Sequence, residues 1–166
     1  MDTKTSSLQP LSPHRQRKYD AMVHKILDMA RVIMREQGVA ALSIQELARR
    51  LDLRAPSLYH YFANKMEIYD TLFRIGFTLY ESQMEEALQD TETWQEYVRK
   101  SFEAYLSFAK QNPDLYQLCF ERPVPGFVPS TESLQVSFQM LQRAYLRADT
   151  FKQSIHTDLS IHQIVD

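Results

Sequence analysis

Glycine is nearly missing from this 166-residue chain, which holds only Gly38, Gly76 and Gly126. So few glycines cannot supply the turns of a many-stranded sheet or a Gly-rich phosphate loop, and neither GxGxxG nor GxxxxGK(S/T) occurs. One cysteine, Cys119, excludes an internal disulfide and a cysteine-based zinc site. No apolar run approaches the roughly 18–20 residues that span a bilayer. The polar start MDTKTSSLQP also lacks the apolar core of a secretion signal. GxSxG, HExxH and Cys/His pairs are absent, so no catalytic group stands out and the chain does not read as an enzyme. His156 and His162 are six apart, a poor helical metal pair, and neither metal nor cofactor is expected. These absences leave an all-helical, cytoplasmic chain with no membrane partner.

Charge is unevenly placed. From Met1 to Lys65 there are eleven Lys or Arg against six Asp or Glu, a net of +5; from Met66 onward eight face fifteen, a net of −7. A basic head on an acidic body suits contact of the head with a polyanion.

Residues 1–14 are polar, with Pro10 and Pro13, and read as a flexible arm. From Arg15 a helical stripe begins with Tyr19, Val23, Ile26, Leu27, Ala30, Ile33 and Met34, closed by Gly38. Ser43 with Glu46 predicts a capping box opening a short helix over 44–50. A second short helix is predicted over 54–61, with Pro56 in its first turn. Asn64 with Glu67 caps a long helix to about Gln89, whose inner stripe reads Ile68, Leu72, Ile75, Leu79 and Ala87. Thr93 with Glu96 caps the next, to Gln111; Pro113 starts another carrying Leu115, Leu118, Cys119 and Phe120. The proline-rich stretch 122–129 is a loop, Ser130 caps a helix over 131–151, and a last helix begins near Thr157. The last stripe (Leu159, Ile161, Ile164, Val165) still runs at Asp166, which suggests an incomplete C-terminus.

Two short helices after a longer one are the arrangement of a helix-turn-helix. Ile44, Leu47, Ala48, Leu53 and Leu58 sit where the angle between the pair is buried, and Ala48 lets the second helix approach. The second helix then turns Ala55, Pro56, Ser57, Tyr59, His60 and Tyr61 outward, at a size that fits the major groove, about 12 Å wide.

The segment GVAALSIQELARRLDLRAPSLYHYFANKMEIYDTLF resembles the DNA-binding head of the TetR/AcrR family of bacterial regulators. Leu58-Tyr59, Tyr61-Phe62 and Asn64-Lys65 carry the likeness, with Ser43-Ile44 and Leu47-Ala48 before them; Asp52 stands where the family usually has Gly. The resemblance implies an N-terminal three-helix head over 15–63 and a C-terminal helical bundle over 64–166 for effector binding and dimerisation. It also implies a double-stranded DNA operator as partner. Ser43, Lys65 and Tyr59 then contact phosphates, Arg17 (with Arg15) adds backbone contacts, and Gln45, Ala55, Pro56, Ser57, His60 and Tyr61 face the groove. Gln45 can read adenine, while Ala55 and Pro56 suit a thymine methyl. For single positions the bland reading stands beside this one: Tyr61 and Phe62 as core, Arg49 and His60 as plain surface.

In the body, Tyr80, Met84, Phe102, Tyr105, Tyr116, Cys119, Phe120 and Phe138 are either bundle core or the lining of an effector pocket. Arg143 and Arg147 read as surface charges. The resemblance implies a ligand-responsive repressor that binds a palindromic operator as a homodimer, its small-molecule effector unidentified. The alternative is a helical small-molecule-binding or scaffold protein with a degenerate head.

Overall fold

Gly38 ends the first helix with φ of 93°, its N–H donating to the Met34 carbonyl at 3.0 Å. That helix, α1, spans Pro13–Gln37 in the computed structural model, which describes residues 12–151. It begins two residues before the expected Arg15, because Pro13 at the first position needs no amide partner. Ile26, Leu27, Ala30, Ile33 and Met34 are buried on one face. A single 3₁₀ turn, Val39–Ala41, follows, and the Val39 carbonyl accepts the Tyr69 hydroxyl at 2.6 Å.

Helix α2 (Ile44–Arg50) opens as expected with Ser43 Oγ accepting the Glu46 N–H at 3.2 Å. The expected capping box does not close. Glu46 turns its carboxylate to Arg49 (2.8 Å) and Arg50 (2.7 Å) instead, and an ion pair of this geometry outcompetes a neutral backbone amide. Asp52 takes the left-handed turn position, φ 54°, and Leu53 N–H returns to the Ala48 carbonyl at 2.9 Å. Helix α3 is shorter than expected, Ala55–Leu58; residues 59–61 tighten into a turn whose Tyr61 N–H reaches the Leu58 carbonyl.

Helix α4 (Lys65–Ala87) is capped by Asn64 Oδ1, which accepts from the N–H groups of Met66 and Glu67. Its buried face differs from the expected stripe. Ile75 is exposed, while Tyr69, Phe73, Gly76 and Phe77 lie inside. The cause is that α4 is flanked by several elements, so its buried arc widens beyond a single stripe. The largest contacts of α4 are with α5 (Trp94–Gln111) and α7 (Thr131–Phe151). Gly76 is required where a π-helical turn, Gln117–Glu121, comes close: a Cβ there would stand 2.5 Å from Cys119 Sγ.

Thr93 and Glu96 form the complete capping box of α5. Helix α6 is only Pro113–Tyr116, and the π-helical turn replaces the expected continuation through Phe120. The proline-rich loop then folds Phe127 onto Tyr69 and Phe73, at ring separations of 5.7 and 6.1 Å. Asp70 of α4 receives the Ser130 amide at 2.7 Å and the Ser130 and Ser133 hydroxyls at 2.8 Å, clamping the start of α7. One apolar cluster runs from Ile26 and Leu47 through Ile68 and Leu72 to Leu115 and Leu118. No strand occurs among the described residues. The expected helix near Thr157, with His156 and His162, lies outside them.

Candidate nucleic-acid interface

Leu58 and Phe62 are buried and fix α3 against α1 and α2, which leaves the opposite side of α3 in solvent. Pro56 and His60 are exposed and Tyr59 is 55% exposed, a large ring held in water. Ala55 and Ser57 are half-buried beside them, and Gln45 is exposed on α2. Tyr61 departs from this group. Its ring packs on Tyr19 of α1 at 5.1 Å and lies half-buried, so it braces α3 instead of standing free.

The cations around α3 divide into paired and unpaired. Arg50 bonds both Glu36 (2.6 Å) and Glu46, and Arg49 also holds Glu46, whose carboxyl these hydrogen bonds bring down to about 2. Arg54, which precedes α3, and Lys65, in the first turn of α4, have no acidic partner among the described residues. The same holds for Arg15 and Arg17 at the exposed start of α1. Ser43 is half-buried, and its hydroxyl oxygen is engaged in the cap. Positive charge thus precedes α3 at Arg54 and follows it at Lys65, with the exposed Pro56, Tyr59 and His60 between them along the chain.

Head and body meet through charge. Asp114 of α6, its side chain fully buried, accepts from Arg31 Nε at 2.6 Å and Arg35 Nε at 2.9 Å, and Asn112 Oδ1 accepts from Arg31 Nη2 at 2.9 Å. Burial pushes the Asp114 carboxyl up, but the hydrogen bonds and charges of the two arginines outweigh it and hold the carboxyl below its ordinary value.

In the body, Tyr80, Met84, Phe102 and Tyr105 line a cavity of about 350 Å³ between α4, α5 and α7. Four other expected pocket residues do not line it. Tyr116 and Phe120 sit behind, where the Tyr116 hydroxyl meets that of Tyr105 at 2.7 Å and Phe120 packs on Tyr80 at 5.4 Å. Cys119 is buried beside Phe73, its thiol raised to about 12 by burial. Phe138 faces away, 63% exposed, on a shallow apolar groove along α7 with Leu141, Tyr145 and Leu146. The cavity also has Trp94, together with Glu81, Tyr97, Ser101 and Arg147, which were not expected there. The spacing of Trp94, Tyr97, Ser101 and Tyr105 along α5, three or four residues apart, was the available signal. Arg143 is an exposed charge as expected and pairs with Glu81 at 2.7 Å, while Arg147 is half-buried and pairs with Glu85 at 3.1 Å.

A three-helix unit with a short, exposed third helix, continued by a helical body with a half-open cavity, has the arrangement of a helix-turn-helix protein. Residues 26–72 match the family model described as bacterial regulatory proteins, tetR family. It is 27% identical over 105 residues to the HTH-type transcriptional regulator Rv1816 of Mycobacterium tuberculosis, covering 62% of this chain and 45% of that protein. A second relative, the HTH-type transcriptional activator FasR of Mycolicibacterium smegmatis, is 27% identical over 58% of this chain and 44% of its own. The matched stretch spans under half the length of these curated relatives. Among solved structures, the fold is similar to regulatory protein SCO4313 (TM-score 0.68, 19% identity, 94% of this chain and 79% of that one). It is also similar to the ketosteroid transcriptional regulator KstR2 of Mycobacterium tuberculosis (TM-score 0.62, 20% identity, 86% and 75%). No described helix is long and apolar enough to cross a membrane.

Proposed function

We propose that this protein is a sequence-specific DNA-binding transcriptional regulator, a ligand-responsive repressor acting as a homodimer on a palindromic operator in the cytoplasm. One observation carries the reading: Pro56 on α3 and Tyr59 and His60 in the turn after it stand in solvent, flanked by Arg54 and Lys65, which have no acidic partner among the described residues. Such a helix enters the major groove while the cations hold phosphates, Lys65 and Tyr59 positioning and Gln45, Ala55, Pro56 and Ser57 reading. Ser43 and Arg17 add backbone contacts. The boundary between the head (15–63) and the effector body (64–166) falls at the cap of α4. The effector occupies the cavity between α4, α5 and α7, and it acts by binding one of two head arrangements more tightly than the other.

Dimerisation uses the apolar groove of Phe138, Leu141 and Leu146 on α7, large hydrophobics that are exposed in a single copy. Two copies then set their α3 helices in successive major grooves, about 34–36 Å apart. In vitro selection of bound duplexes tests this directly, and a palindrome with that half-site spacing is expected. Binding to random duplex that changes only a few-fold between low and moderate salt favours the alternative of a ligand-binding or scaffold protein with a degenerate head. A promoter fusion separates repression from the activation that the FasR name records for that relative.

A further inference from the structure

We infer that Arg54 does more than hold a phosphate: it reads a guanine edge in the major groove, as the one guanine reader of the α2–α3 pair, with A·T pairs around that guanine. The inference rests on the DNA-binding reading above and adds the base that this residue selects. Lys65, the other cation flanking α3, stays on the backbone.

The arginines of the head are sorted by what already holds them. Asp114 takes Arg31 and Arg35 at 2.6 and 2.9 Å. Glu46 takes Arg49 at 2.8 Å and Arg50 at 2.7 Å, and Glu36 takes Arg50 at 2.6 Å. A guanidinium fixed in this way has committed its N–H donors to a carboxylate, and a base contact has to break that bond first. Arg54 is exposed and has no acidic partner among the described residues. Arg15 and Arg17 share that freedom, but they sit at the start of α1. Arg54 is therefore the free guanidinium of the α2–α3 pair.

The backbone sets where it stands. Asp52 turns the chain with φ of 54°, and the Leu53 N–H returns to the Ala48 carbonyl at 2.9 Å. Arg54 follows in extended conformation (φ −82°, ψ 139°), its carbonyl accepting the Ser57 N–H at 2.8 Å. Leu53 and Ala55, on either side of it, pack against the apolar core. Side chains alternate along extended backbone, which sets Arg54 away from the core. It immediately precedes α3, and the second helix of a helix-turn-helix touches base edges with the residues at its beginning.

The neighbouring side chains leave guanine to Arg54. Guanine presents O6 and N7 as adjacent acceptors, which the guanidinium fork meets with two parallel N–H donors. Gln45 matches adenine instead, and Ala55 and Pro56 offer only apolar surface, which suits a thymine methyl. Ser57 and a neutral His60 each present a single donor.

In vitro selection from random duplexes, run on the full chain and on Arg54→Ala, tests the assignment. The parent is expected to select a half-site with one G·C pair among A·T pairs, and Arg54→Ala to lose preference at that pair alone. A measurement on the parent's selected duplex needs no variant: 7-deazaguanine at that pair, which lacks N7, is expected to weaken the parent about tenfold. The same replacement is expected to leave Arg54→Ala unaffected. Uniform weakening in Arg54→Ala with unchanged base preference and a salt slope lower by about one makes Arg54 a phosphate holder. That result overturns the assignment while DNA binding stands. A half-site without a G·C pair, or a G·C preference that survives Arg54→Ala, overturns it as well. A parent that selects no motif overturns the assignment and the sequence-specific reading together.

Discussion

Asp114 and Arg31, 83 residues apart in sequence, are joined by a 2.6 Å hydrogen bond that ties the body to the first helix of the head. The carboxylate has no solvent contact, whereas Arg31 and Arg35 keep 20% and 42% of their side-chain exposure. Asp114 is therefore the buried member of the cluster, and its loss strands guanidinium groups that can still reach water. Asp114→Asn is expected to cost about 2 kcal/mol, below the full penalty for an uncompensated buried charge. Thermal unfolding checks this, and a melting temperature equal to the parent's removes the pair from the stabilising set.

The same residue sets an acid limit. The Asp114 carboxyl is held below its ordinary value: burial raises it, and the hydrogen bonds and charges of Arg31 and Arg35 overcome that rise. A lowered folded-state pKa contributes stability in full above the unfolded value, about 3.9, and loses it as pH falls through the folded value. Denaturant unfolding is expected to weaken below about pH 4, with a shallower acid slope in Asp114→Asn. Parallel slopes in variant and parent count against the assignment.

Asp70 closes α7 from outside that helix. Its two oxygens take the Ser130 amide and both the Ser130 and Ser133 hydroxyls. Asp70→Ala is expected to cost about 1–2 kcal/mol, the worth of a good N-terminal cap. Asp70→Asn, which retains one acceptor oxygen, is expected to lose less. Chemical denaturation of the three proteins ranks them, and an Asn variant as weak as Ala refutes the capping role.

Gly76 and Cys119 form a pair that is tested by compensation. A Cβ on residue 76 would meet the Cys119 sulfur at 2.5 Å, while its next neighbour, Leu115 Cβ, stands at 3.5 Å. Gly76→Ala alone is expected to cost about 1–3 kcal/mol by overpacking. Removing the sulfur in Gly76→Ala/Cys119→Ala is expected to restore part of that loss, a coupling that a double-mutant cycle measures directly. Additive losses mean that the clash is relieved elsewhere.

Two cations near α3 are expected to part company on DNA. Lys65 has no acidic partner among the described residues, so Lys65→Ala is expected to weaken binding to all duplexes and reduce the salt slope by about one. Arg49, held by Glu46 and 71% exposed, is expected to leave the slope nearly unchanged when replaced by Ala. Anisotropy titrations across several salt concentrations decide between them. Gln45→Ala and Ser57→Ala should instead shift base preference in a selection experiment.

Most boundaries of the helices were legible because they are written within a few residues of one another. Ser43, Asn64 and Thr93 cap the helices expected of them, Gly38 stops α1, and Asp52 takes the left-handed turn that the resemblance led us to expect. The exposure of Pro56, Tyr59 and His60 followed from the same local pattern. Other features were not legible. Glu46 had a choice of partners, an amide three residues back or two arginines ahead, and residue types do not rank these. Periodicity likewise missed Tyr69 and Phe73 on α4, because a helix flanked by several neighbours buries more than one stripe.

The sequence by itself determined the helical build of the described residues, the two short helices of the head and the exposure of Pro56, Tyr59 and His60, since caps, turns and stripes act through contacts within one or two turns of chain. Only the tertiary structure decided that Asp114 reaches Arg31, that Cys119 sits against Gly76, and that Glu81 and Ser101 share a cavity. Those relationships depend on how whole helices are set against one another, and packing forces are nearly blind to sequence separation.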